Sequence, residues 1–135
     1  MLRAMTDRTI FVVDDDASAR HGLARLIRVA GYEVRTAGSA REFLACLGPE
    51  PSGLVVLDAR MPGMSGEELQ QELIDRGVCL PLIFVTADDD PKTRRRAQQM
   101  MAAGFFRKPV DGIALLDAIA WALRPTDTGG EATAM

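Results

Sequence analysis

Cysteine is scarce in this chain. Cys46 and Cys79 are its only two, and nothing around them has the spacing of metal ligands. Both are expected as small apolar residues, in the core or near the surface. Long apolar runs are also missing. None approaches the roughly 20 residues that span a bilayer, and Met1 to Arg8 lack the apolar stretch of a secretory signal. Positive charge is not in excess: the net charge is -3 and the pI about 5.1. That excludes the basic footprint a nucleic-acid surface needs. There are no internal repeats and no linker to a second domain. These absences predict a reducing, cytoplasmic setting with neither nucleic acid nor membrane as partner.

The 135 residues suffice for one domain with a core of its own. Hydrophobic residues at 47% and charged residues at 26% are ordinary for a globular chain. We expect an N-terminal extension over 1–8, a domain over 9–124 and a mobile tail over 125–135, because Thr126 to Met135 show no apolar period.

Strand and helix patterns alternate five times. Ile10-Phe11-Val12-Val13, Leu54-Val55-Val56-Leu57 and Leu82-Ile83-Phe84-Val85 are unbroken apolar runs. Parallel strands covered on both faces read this way. Glu33 to Ala37 and Phe105-Phe106 supply two shorter strands. Between them the first helix shows Leu23, Leu26, Ile27 and Ala30 on one face and stops at Gly31. Ser39 to Glu42 reads as a capping box opening a helix that buries Phe43, Leu44 and Leu47 and stops at Gly48. Ser65 to Glu68 reads as another, before Leu69 and Leu73 and an end at Gly77. Asp90-Pro91 opens a fourth helix, with Thr93, Ala97, Met100 and Met101 inward. Asp111 caps a fifth, with Ile113, Leu116, Ala120 and Leu123 inward and Pro125 as its stop. Right-handed crossovers then give a doubly wound α/β fold, five parallel strands with five helices.

Each long run ends on a polar residue: Asp14, Asp15 and Asp16 after the first, Asp58 after the second, Thr86 after the third. The short last run leads to Lys108-Pro109. In an open parallel sheet these carboxyl ends form the ligand crevice. Gathered carboxylates repel unless a cation intervenes, and oxygen donors in an open cluster favour magnesium. Asp58 has the placement of a nucleophile for aspartyl-phosphate chemistry, or merely ends a strand. A threonine hydroxyl and a lysine ammonium are what a phosphoryl group needs for hydrogen bonding and neutralisation.

The segments Val12-Val13-Asp14-Asp15, Leu57-Asp58 with Met61-Pro62-Gly63-Met64-Ser65-Gly66, Val85-Thr86-Ala87 and Lys108-Pro109 resemble the receiver (CheY-like) domain of two-component response regulators. The similarity spans about residues 8–124. The spacing of 28 residues from Asp58 to Thr86 and 22 from Thr86 to Lys108 is similar to the FixJ-like group.

The resemblance implies a flavodoxin-like sheet of order 2-1-3-4-5. It makes Asp58 the phosphoacceptor for a sensor kinase's phosphohistidine. It makes Asp14, Asp15, Asp58 and the backbone carbonyl of Arg60 the ligands of Mg2+, with Mn2+ as substitute. Thr86, Ala87 and Lys108 would hold the phosphoryl group, with Lys108-Pro109 cis. Thr86 and Phe105 would be the switch, reshaping the surface of the fourth helix, fifth strand and fifth helix. Asp16 matches a variable acidic position.

The implied partners are a histidine kinase or phosphotransfer protein, an unidentified downstream protein, and a second copy through the switched surface. The chain would be a signalling module that catalyses only its own phosphorylation and dephosphorylation. No DNA-binding output domain is expected within it. A dehalogenase-like aspartyl-phosphate hydrolase and a phosphorylation-independent binding module are the competing readings. The first lacks its Gly-Thr after Asp14-Asp15-Asp16 and leaves Asp58 unexplained; the second leaves Asp15, Asp58, Thr86 and Lys108 without a task.

Met101-Ala102 stands where such domains commonly have Gly-Ala, and Gly104 is expected to loosen the segment before Phe105. Arg60 and Asp88 flank the phosphoryl position, either pairing across its mouth to lengthen the phosphoryl lifetime or solvated independently. Arg94-Arg95-Arg96 reads as a solvated helix face or a contact for an acidic partner. Trp121 falls off the inner stripe, at the edge of the output face or against the sheet edge, and His21 is expected at the surface.

Overall fold

In a computed structural model of the chain, residues 9–49, 51–87, 91–99 and 101–124 are described. They form five strands and five helices: β1 (Thr9–Val13), α1 (Ala17–Val29), β2 (Glu33–Ala37), α2 (Ala40–Ala45), β3 (Leu54–Asp58), α3 (Gly66–Asp75), β4 (Leu82–Thr86), α4 (Pro91–Gln99), β5 (Gly104–Arg107) and α5 (Gly112–Leu123). All pairings are parallel, in the order β2-β1-β3-β4-β5. Strand order reverses between β1 and β3, which opens a crevice above their carboxyl ends.

Side chains alternate across the pleat, so each apolar strand feeds two layers. Phe11, Val13, Val55, Leu57 and Phe84 meet α2, α3 and α4 through Phe43, Leu69, Leu73 and Ala97. Ile10, Val12, Leu54, Val56, Ile83 and Val85 meet α1 and α5 through Ala24, Ile27, Leu115 and Ile119. Each large side chain so buried contributes about 1.5–3 kcal/mol. β3 and β4 are buried throughout, whereas edge strands β2 and β5 are not. The turn into β3 depends on Gly53, whose φ of +121° suits only glycine, and a Cβ there would strike the Thr9 carbonyl. Among the described residues no helix is long and apolar enough to cross a membrane.

Several details differ from the sequence expectations. Ala30 is exposed as the cap of α1, and Ala24 takes the inner place. Helix α2 ends at Ala45 rather than at Gly48. Its Ser39 accepts from Glu42 N–H, but the Glu42 carboxylate reaches Gly38 N–H instead of closing the box on Ser39. The box at Ser65 and Glu68 is complete. Cys46 and Cys79 are both exposed.

Met101 is 87% exposed, at a left-handed φ of 63°, where a side chain points away from the core. Glycine is the usual residue in this conformation, which costs an L-residue about 1–2 kcal/mol. On α5, Leu115 and Ile119 are buried while Ile113 and Ala120 are exposed. This helix is apolar on nearly every side, so spacing does not select its inner face. Gly104 lies within β5, in register with Ile83. His21 is exposed, as is Trp121, which carries the Arg124 guanidinium over its ring at 3.6 Å. Asp88, Asp90, Met100 and the proposed extension and tail, 1–8 and 125–135, lie outside the described residues.

Candidate functional site

The crevice collects side chains from four strand ends. Asp14 follows β1 directly and is buried; its Oδ1 accepts from Asp16 N–H at 3.0 Å. Asp15 beside it is exposed. Asp58 closes β3, and its Oδ1 accepts from Arg60 N–H at 2.9 Å. Lys108 reaches across from the loop after β5, donating to Asp14 Oδ2 at 3.0 Å and Asp58 Oδ2 at 3.1 Å. Its backbone N–H bonds the Thr86 carbonyl at 2.8 Å, which ties the loop to the end of β4, and the Lys108–Pro109 bond is cis. Thr86 is 1% exposed. Asp58, Arg60, Thr86 and Ala87 line a cleft of about 390 Å³.

Burial raises the Asp58 carboxyl above its ordinary value and the Asp14 charge adds to this, outweighing the Arg60 N–H and Lys108, which hold it down. Lys108 is raised too: burial pulls it down, but its bonds to Asp14 and Asp58 prevail. One oxygen each of Asp14, Asp15 and Asp58 lie within 4.8 Å of one another. Three carboxylates against one ammonium leave two negative charges over. An all-oxygen donor set with one exposed flank fits a hard divalent cation that keeps several waters. Asp16 does not join this cluster; its side chain caps α1 through Ser18 N–H.

The residues expected at the site are thus together, apart from Phe105 and Asp88. Phe105 sits on β5, partly buried, its ring 6.2 Å from that of Phe84 and under the Arg94 guanidinium. Asp88 lies outside the described residues.

Sequence reasoning missed Arg20. Its Nη1 donates to the Asp14 backbone carbonyl at 2.7 Å and lies beside Gly38, so it braces the peptide that carries Asp14 into Asp15. A signal was present: a cation in the first turn of a helix opposes the macrodipole and calls for a local partner. Groups that orient ligands are worth roughly 10–100-fold in metal affinity. If the cluster holds a divalent cation, Arg20→Ala is expected to weaken its binding about tenfold by calorimetric titration with Mg2+ as probe, with Arg20→Lys restoring part. Unchanged affinity would reduce Arg20 to a packing role.

Comparison with known proteins agrees with this geometry. The family profile of the response regulator receiver domain matches residues 10–120. Nodulation protein W of Bradyrhizobium diazoefficiens is 41% identical over 116 residues, which cover 86% of this chain and 51% of that protein. Transcriptional regulatory protein TdiR of Thauera aromatica is 44% identical over 115 residues, 85% of this chain and 51% of that one. The chain therefore spans about half the length of these curated relatives. The crystal structure of FixJ-N superposes with a TM-score of 0.80 at 34% identity, covering 86% of this chain and 93% of that one. With the five-stranded order, the acidic crevice and the matched residues in agreement, this chain belongs to the response regulator receiver domain family.

Proposed function

We propose that this chain, as a receiver spanning residues 9–124, takes a phosphoryl group from the phosphohistidine of a sensor kinase or phosphotransfer protein onto Asp58. The observation that carries the reading is the pairing of Lys108 with both Asp14 and Asp58, the second of which lines a cleft together with Thr86. In the reaction an Asp58 carboxylate oxygen forms a bond to phosphorus. The bond from phosphorus to the histidine nitrogen breaks, its electron pair returns to the imidazole, and an acyl phosphate remains.

Mg2+, or Mn2+ in its place, bound by Asp14, Asp15, Asp58 and the Arg60 carbonyl would screen the repulsion between the carboxylates and the phosphoryl oxygens. Lys108 neutralises one phosphoryl oxygen, and the Thr86 hydroxyl and Ala87 N–H bond others. The Arg60 N–H keeps one Asp58 oxygen oriented. Drawing Thr86 toward the phosphoryl group frees the Phe105 ring to turn inward, which biases α4, β5 and α5 between two states. That face is the output, for a downstream protein or a second copy, and the module works in the cytoplasm without turnover of a separate substrate.

Incubation with Mg2+ and phosphoramidate, followed by intact-mass measurement, is expected to show a single phosphoryl adduct. The adduct should be labile to hydroxylamine, as an acyl phosphate is. An unmodified mass, or a hydroxylamine-stable adduct, would defeat the reading.

A further inference from the structure

We propose that Arg94 is a positioning residue for Phe105, its guanidinium holding the aromatic ring toward α4 until phosphorylation releases it. The inference rests on the phosphoacceptor reading and adds a restraint particular to this chain.

Helix α4 has the sequence Pro-Lys-Thr-Arg-Arg-Arg-Ala-Gln-Gln, and among its described side chains only Ala97 is buried. Apolar packing therefore does little to dock it. Two of its consecutive arginines reach opposite neighbours instead. Residues two apart on a helix point about 200° apart, so Arg94 and Arg96 serve different flanks. Arg96 Nη1 pairs with Glu67 Oε1 on α3 at 3.0 Å. Arg94 Cζ lies 4.7 Å from the centroid of Phe105 on β5.

The Phe105 ring thus has two competing surroundings. On one side is the fully buried Phe84, with centroids 6.2 Å apart and planes inclined at 44°. On the other is a cation within the distance at which a ring face attracts it. A ring that turns further into the core leaves the cation behind. A contact made in only one of two states biases their equilibrium by its own strength, and by linkage opposes whatever ligand favours the other state. Arg94 then sets how readily the chain responds, while Arg96 holds the far flank of the helix and leaves the ring alone.

Arg94→Met keeps the length of the stem and removes the cation. Carbon-13 NMR of the phenylalanine rings, without ligand, is expected to show the Phe105 signals of Arg94→Met displaced toward the positions that Mg2+ with beryllium fluoride, a phosphoryl mimic, induces in the wild type. The affinity for beryllium fluoride should rise about two- to five-fold, the range for one exposed cation–π contact. Arg94→Lys should fall between the two. Glu67→Gln, which loosens α4 on its other side, should leave the Phe105 signals in place.

Unmoved Phe105 signals in Arg94→Met overturn the proposal. So do equal displacements in Arg94→Met and Glu67→Gln, because general loosening of α4 would then explain both. If the wild type takes up no beryllium fluoride, the phosphoacceptor reading falls. The ligand-free spectra still decide the role of Arg94, displaced signals upholding it and unmoved ones refuting it.

Discussion

Asp58→Asn is expected to take up no phosphoryl group and, in chelator, to be more stable than the wild type. The first result follows from chemistry, since a carboxamide offers no anionic oxygen to phosphorus. The second follows from the direction in which Asp58 is shifted. Burial raises its carboxyl above the ordinary 3.8, with the Asp14 charge adding, and the Arg60 N–H and Lys108 only partly offset this. Between the ordinary and the raised value the folded chain holds more protons than the unfolded one. Stability therefore falls as pH rises through that window and stays lower above it.

The asparagine variant carries no such slope from this position. It keeps the shape and leaves Lys108 its partner Asp14. Removing a buried charge in this way is expected to raise stability at neutral pH, because burial is the largest cause of the Asp58 shift. Magnesium is expected to reverse the order. A wild type that binds it would gain about 2.7 kcal/mol at a hundredfold excess over the dissociation constant, and the variant, one ligand charge short, would gain less. Urea titrations at neutral pH with chelator or Mg2+, together with intact mass, test all of this. A variant less stable than the wild type in chelator would show that the Lys108 pairing outweighs the burial of the charge.

The strand ends were legible because a buried parallel strand is an apolar run, and a carboxylate directly after it has nowhere to go except the crevice. Asp14, Asp58 and Thr86 follow from that alone. Lys108 reads less directly, from a lysine just past a run that is short and only half buried. The phase of α5 was not legible: Gly-Ile-Ala-Leu-Leu-Asp-Ala-Ile-Ala-Trp-Ala-Leu is apolar in every direction, and the cap at Asp111 with the packing of Leu115 decides it. α4 failed for the opposite reason. With so few apolar residues, helical spacing points Met101 at the core, whereas the backbone turns left-handed there and carries it outward. Arg20 was signalled only by its unfavourable place at the start of α1, and Arg94 meets a ring on another element, a contact that no local spacing records.

Gly66→Ala is expected to lower stability by about 1–3 kcal/mol, the range for overpacking in a filled core, and to weaken Mg2+ binding with it. Gly66 opens α3, and its N–H bonds the Ala59 carbonyl at 3.1 Å. A Cβ there would lie 2.8 Å from Phe84 Cε1, 2.9 Å from Ala59 Cα and 3.0 Å from the Asp58 carbonyl oxygen. None of the three can yield cheaply. Phe84 is fully buried between β3 and β5, and the other two are backbone of the loop that orients Asp58. Relief must come from moving that loop outward, away from Asp14 and Lys108, so stability and the carboxylate cluster suffer together. Gly48→Ala is the control: nothing lies within 4 Å of its added Cβ, and a surface change of this kind stays within about 0.5 kcal/mol. Thermal melts and Mg2+ titration of both variants separate the cases. If Gly66→Ala lost stability while keeping wild-type Mg2+ affinity, the helix would have shifted as a body and the loop holding Asp58 would not depend on this close approach.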